Sequence, residues 1–217
     1  MRRNLSELDA RRLLAGAPVV LVTTRWHGVD NVMPLAWSMP LSHEPPLVGI
    51  AVHPSRHTYD MIRFSEQFAL NFPSRRLMNH VQYLGIVSGR DVQKIDVTKL
   101  PTFKAQRVDV PLLEACLAWV ECVVEDILRL GDHHLFVGKV LAAQVEKEAF
   151  EDAWLLADDD LKPLHYVGGD LYALLGERQQ AKLRTTDEGA IELEETPEQR
   201  ERREEEEALR REQDEQG

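Results

Sequence analysis

NVMPLAWSMPLS, residues 31–42, alternates apolar with small or polar residues as a strand does, yet it carries two prolines, Pro34 and Pro40. Proline has no N–H to give to a ladder, so such a strand belongs at a sheet edge or a bulge. Its neighbours then keep free backbone donors and acceptors. These can meet a flat heterocycle, with Ser38 adding a hydroxyl, or the prolines can simply guard an edge against aggregation. The residues alone leave both readings open.

Upstream, PVVLVTTR (18–25) is β-branched and leads through the turn cluster Trp26-His27-Gly28-Val29-Asp30-Asn31 into residues 31–42, which reads as a hairpin. SELDARRLLAGA (6–17) resembles a short helix with Leu8, Leu13 and Leu14 on one face and Gly16 at its end. Downstream, LVGIAV (47–52) and QFALNF (67–72) read as strands, and RRLMNHVQYLGI (75–86) as a helix bearing Leu77, Val81 and Leu84. LLEACLAWVECVVEDILRL (112–130) is too β-branched and too bare of caps for a helix, so it predicts one long strand or a bent pair. LFVGKVLAAQVEKEAF (135–150) and PLHYVGGDLYALL (163–175) complete the set. Short strands, tight turns and a few helices predict a mainly β fold, a barrel decorated by helices.

The chain has 217 residues, enough for one domain, and a formal charge of −11. That charge, with no basic run, disfavours nucleic acid as a partner. No apolar stretch reaches the roughly 20 residues that cross a bilayer, and the N-terminus lacks a signal-peptide core, so no membrane and a cytoplasmic location are expected. Cys116 and Cys122 lie in one strand-like run, where even spacing predicts a shared face and two buried, reduced thiols. From Arg178 onward acidic residues dominate and aromatics vanish. Residues 1–177 are therefore read as the domain, and 178–217 as a charged, solvated tail with a helix start at Thr196-Pro197-Glu198-Gln199.

Chemistry concentrates in VHPSRHTYDMI (52–62), where a strand breaks at Pro54 and Ser55, Arg56, His57 and Thr58 precede a helical pattern. Ser and Thr there can cap the helix. Alternatively, two hydroxyls, a cation and opening N–H groups can seat a phosphate. SGRDVQK (88–94) reads as a loop with surface charges, and Asn71 between Leu70 and Phe72 as a partner for buried backbone or for a ligand. In GDHHLFVGKV (131–140) the paired His133 and His134 point to opposite faces of a strand. Asp132, His133, His134 and His165 match no metal-binding spacing, so no metal is expected. Gly168-Gly169 is not a dinucleotide fingerprint, and no GxGxxG, Walker or GxSxG motif occurs. Tyr166 and Tyr172 can wall a site or pack a closing strand.

Taken in order, PVVLVTT, AWSMPLS, PPLVGIAV, SRHTYDMI, FALNFP, VSGRDVQK, GDHHLFVGKV and LHYVGGDLYALLG resemble the flavin reductase-like, FMN-binding split-barrel family that includes flavoredoxins, over residues 18–176. The resemblance implies a homodimeric Greek-key split β-barrel with FMN at its mouth. It implies that Ser55, Arg56, His57 and Thr58 hold the phosphate, that Ala36, Trp37, Ser38, Met39 and Pro40 flank the ring and ribityl chain, and that Asn71 lies beside the cofactor. Ser88, Gly89, Arg90 and Lys94 match the family loop that reaches the cofactor, although Gln93 stands where relatives often carry an acid. His133 matches a histidine near flavin and nicotinamide. The implied activity is NADH- or NADPH-dependent flavin reduction, passing hydride through flavin N5. The implied alternative is a flavoredoxin-like carrier that passes electrons to an acceptor protein without nicotinamide oxidation.

Overall fold

A computed structural model describes residues 6–181, 183–185, 191–193, 201–202 and 204–205. The chain divides into two compact units, Met1–Gly176 and Glu177–Gly217. Among the described residues of the first unit the strands run β1 Val20–Trp26, β2 Val29–Leu35, β3 Ser38–Ser42, β4 Leu47–Val52, β5 Gln67–Pro73, β6 Thr102–Lys104, β7 Pro111–Leu113, β8 Cys116–Leu130, β9 His133–Val145 and β10 Leu164–Gly168. An eleventh, β11 Leu171–Leu174, pairs with β10 alone. The α-helices α1 His57–Ser65, α2 Met78–Ile86 and α3 Lys94–Thr98 lie between them.

Seven strands form one antiparallel sheet in the order β2-β1-β5-β8-β9-β4-β3. The stretch 31–42 is thus not one strand but two, and they lie at opposite edges, each with its proline: Pro34 in β2 and Pro40 in β3. Only Ala36 and Trp37 join them. Three Cα–Cα steps span at most about 11 Å, whereas seven flat strands would hold their edges about 29 Å apart. The sheet must therefore curl until its edges almost meet. The expected barrel is present as a split one, because the sheet does not close: the order above has two free ends.

β1 is buried on both faces, one turned to the curled interior and the other covered by α2 and β7, which explains its uninterrupted apolar run. Val20 and Val22 join Met33, Ile50, Val52, Phe68, Leu70, Cys122 and Phe136 in the barrel interior, closed by Tyr59 and Ile62 of α1. Val19 and Leu21 face the other cluster, with Leu77, Val81 and Leu84 from α2 and its preceding turn, and Leu112 and Leu113 of β7. Gly138 is required where β9 crosses the interior, since a Cβ there would overlap the ring of Phe68.

Other expectations shift in detail. The hairpin turn is shorter than the cluster suggested: His27 and Gly28 alone form it at φ 49° and 77°, and Asn31 lies within β2, opposite Thr24. The N-terminal helix is 3₁₀, Glu7–Leu14, capped by Ser6, and it leaves Leu13 and Leu14 exposed. Cys116 and Cys122 are buried and free, but they enter different clusters. Between them the register slips, Phe72 facing Ala118 while Pro73 faces Cys116, and one extra residue reverses the faces predicted by even spacing.

Among the described residues no helix is long and apolar enough to cross a membrane. In the second unit, β12 Leu183–Thr185 and β13 Ile191–Leu193 pair antiparallel, a hairpin that the charged composition did not suggest. The expected helix start at residues 196–199 lies outside the described residues; Glu201, Arg202, Glu204 and Glu205 are helical.

Candidate functional site

Where β2 gives way to β3, beside the start of α1 and the loop after α2, the first unit holds a cavity of about 440 Å³. Ala36, Trp37, Ser55, Arg56, His57, Thr58, Ser88, Gly89, Arg90, Lys94 and His133 all line it. Segments separated by up to about a hundred residues are brought together because α1 plugs one end of the barrel and loop 88–93 folds over its first turn.

Neither Ser55 nor Thr58 caps α1. Arg56 occupies the N-cap position without a side-chain bond. The Ser55 hydroxyl pairs with His53 Nδ1 at 2.8 Å, and Thr58 Oγ1 accepts a 2.8 Å bond from Asn31 Nδ2. The opening of α1 is therefore free of a competing cap, with its positive dipole end toward the cavity. Arg90 ties loop 88–93 to this turn, donating to Ser55 O at 2.7 Å and to Asp60 Oδ2 at 2.8 Å. Gly89 is a steric requirement of that closure. A Cβ on it would overlap Asn31 Oδ1 and stand 2.7 Å from His57 Cδ2.

Lys94 is the electrostatic centre. It is only 5% exposed and donates one bond, at 2.7 Å, to Leu84 O in the last turn of α2. An ammonium has three donors. Burial first, and the nearby Arg56 charge second, lower its pKa to about 8. His57 is also held below its ordinary value, by burial and then by Arg90, with Lys94 contributing. The cavity concentrates positive charge in a chain of net −11. A compact, acceptor-only dianion fits this donor set and would relieve the depressed lysine.

At the opposite wall, His133 lies 4.7 Å from the Trp37 ring and 5.2 Å from His53, centroid to centroid. Its Nδ1 is 2.7 Å from Asp132 Oδ1. A carboxylate only accepts, so Nδ1 carries a proton, and Nε2 is the acceptor of the neutral ring. That bond also holds the Asp132 carboxyl below its usual range. His134 points the other way, to the Tyr59 hydroxyl at 2.8 Å. Trp37, 48% exposed, and Ile86 leave an apolar rim. Tyr166 continues the wall into an adjoining cavity of about 250 Å³, which Tyr172 also lines.

Two groups of expected residues are not at the cavity. Asn71 is fully buried and its amide is consumed within the core. Nδ2 donates to Leu21 O and Thr23 Oγ1, and Oδ1 accepts from Leu113 N. It shares strand parity with Ala69, on the face that packs toward β7, so it serves backbone rather than a ligand. Ser38, Met39 and Pro40 are outside the lining because they have already joined β3, paired with Ile50, Gly49 and Val48. Conversely, Asn31 and His53 line or adjoin the site without a signal in the sequence that marks them, whereas Tyr166 walls it as one of its two readings allows. Asn31 ends the expected turn cluster and begins the expected strand; with the turn confined to His27-Gly28, it lies within β2, in step with Met33 on the interior face. Among the described residues no group of three or more His, Cys, Asp or Glu side chains is placed to hold a metal ion.

Residues 12–174 match the model of the flavin reductase like domain. The chain is 33% identical to the uncharacterized protein YddH of Escherichia coli over 177 residues, covering 79% of this chain and 94% of that one. Among solved structures it resembles an FMN-binding protein from Thermus thermophilus with bound p-hydroxybenzaldehyde, at TM-score 0.72 and 28% identity over 84% of this chain and 99% of that one. It also resembles flavoredoxin from Methanosarcina acetivorans, at TM-score 0.70 and 26% identity over 87% and 96%.

Proposed function

Since the chain belongs to the flavin reductase-like family, we propose that it binds FMN and works as an NADH- or NADPH-dependent flavin oxidoreductase. The observation that carries this reading is Lys94, a buried cation beside Arg56 at the uncapped start of α1, within one cavity. Burying such a charge costs stability unless an anion meets it. The FMN phosphate is that anion: Arg56, Lys94, the Ser55 and Thr58 hydroxyls and the first N–H groups of α1 hold it. Trp37, with the backbone of residues 34–36, flanks the ring.

FMN, when bound there, would supply the hydride and electron chemistry. The protein's part is to seat, orient and shield. His133, with its tautomer fixed by Asp132, offers Nε2 to the nicotinamide amide or to a ring proton. The exposed Trp37 and Ile86 at the rim suit cover by a second copy of the chain, and a homodimer is part of this reading. A cytoplasmic location agrees with two buried, free cysteines.

The purified protein should show a flavin absorption band, and anaerobic addition of NADH or NADPH should bleach it. A colourless protein that takes up no added FMN refutes the proposal. The likeness to flavoredoxin favours one alternative, an electron carrier for a protein partner. For that carrier the band appears and nicotinamide leaves it unbleached, while dithionite bleaches it.

A further inference from the structure

We propose that Asn31 is a positioning residue that aims the Thr58 hydroxyl proton at the ligand phosphate, an inference that rests on the phosphate seat just described. Both side chains are 2% exposed, one on β2 and the other in the first turn of α1. Asn31 Nδ2 donates to Thr58 Oγ1 at 2.8 Å. A hydroxyl has one proton and two lone pairs, and an amide NH₂ can only donate. The bond therefore occupies a lone pair and drives the Thr58 proton away from Asn31. Among the described residues no backbone carbonyl or side chain takes that proton, and Thr58 lines the cavity. It is left pointing where only an acceptor satisfies it.

The other end of the same amide is fixed as well. Asn31 Oδ1 lies against Gly89, so closely that a Cβ there would overlap it, and the loop 88–93 seals the amide in place. One buried side chain thus orients a hydroxyl on α1 while resting on the loop that supplies Arg90. The consequence is a preference for an acceptor-only group, a phosphate oxygen, over the bare ribityl hydroxyl of riboflavin.

Dissociation constants for FMN and riboflavin, measured by flavin fluorescence on the full chain stripped of flavin, test this in a double-mutant cycle. Asn31→Ala and Thr58→Val should each weaken FMN at least about tenfold while riboflavin stays within about twofold. The double variant should be no weaker for FMN than Thr58→Val alone. Should Asn31→Ala fail to fold, Asn31→Asp is nearly isosteric, and its carboxylate captures the Thr58 proton. Its loss of FMN should then be larger with Thr58 present than in the Thr58→Val background. An FMN-to-riboflavin preference unchanged by substituting Asn31, or losses that multiply in the double variant, overturns the positioning role and leaves the phosphate seat standing. Equal affinity of the unaltered protein for FMN and riboflavin overturns the seat itself, and this role with it.

Discussion

Lys94 carries opposing demands. Its ammonium is buried beside Arg56, which lowers its pKa from 10.5 to about 8, so without ligand the folded protein holds that proton less firmly than the unfolded chain does. Stability should therefore rise as pH climbs from about 8 toward 10.5, the window in which the unfolded lysine is still charged. Removing the charge with Lys94→Met should stabilise the flavin-free protein by about 1–2 kcal/mol in urea unfolding. The same change should weaken FMN at least about tenfold by fluorescence titration, since a charge-assisted bond is lost. FMN affinity in the unaltered protein should also fall as pH rises past 8, where Lys94 must take up a proton to serve the phosphate. Asn71 gives a contrasting expectation. Asn71→Ala strands Leu113 N and Leu21 O and should cost about 3 kcal/mol in unfolding, yet leave the ratio of FMN to riboflavin affinity unchanged. The two asparagines, 31 and 71, show where sequence reading ends at this scale. Each sits among apolar strand residues, and the amino acids alone do not say which face turns toward the cavity. Strand parity decides it: Asn31 shares the interior face with Met33, and Asn71 the opposite face with Ala69.

The loop between α2 and α3 is held by its own turn bonds to Ser88 and by what it touches. Arg90 fastens it to Ser55 and Asp60, and Gly89 lets it lie flat on Asn31 and His57. Gly89→Ala adds a methyl where the Asn31 carbonyl oxygen and the His57 ring already stand. Both neighbours belong to packed elements, β2 and α1, so the loop must lift. The expected result is FMN binding weakened by roughly tenfold or more, with a melting temperature lowered by only a few degrees, because the residue lies in a surface loop and not in either apolar cluster. Calorimetry and titration of the same sample check both halves. At this scale the sequence was legible wherever local chemistry is decisive. The apolar run of β1, the break at Pro54 and the long β8 are all placed as their composition implies. The stretch 31–42 was legible only in part. Its prolines named it an edge, but one continuous pattern concealed two edges, because the bend at Ala36-Trp37 is imposed by sheet curvature and not by any local turn signal. The same distinction explains the cysteines: spacing reports faces until a bulge inserts a residue, and the bulge depends on the partner strand.

At the scale of the molecule, every residue lining the cavity falls within Met1–Gly176. Glu177–Gly217 forms a separate unit, with a short hairpin among residues that are mostly charged. Within the first unit the barrel's two edges are joined by Ala36-Trp37, its interior is closed by α1, and its outer face is covered by α2 and β7. A chain ended after Gly176 should therefore bind FMN within about twofold of the full chain and unfold with the same midpoint. The full chain and the shortened one can then be compared for the rate at which bound flavin, once reduced, passes electrons to an acceptor protein. If the acidic segment only keeps the protein dissolved, the rates agree at all salt concentrations. If it steers a basic acceptor toward the cavity mouth, the full chain should be faster at low ionic strength and the advantage should vanish near physiological salt, where screening acts within about 8 Å. A shortened chain that loses FMN would instead mean that the second unit completes the site, contrary to the cavity's composition.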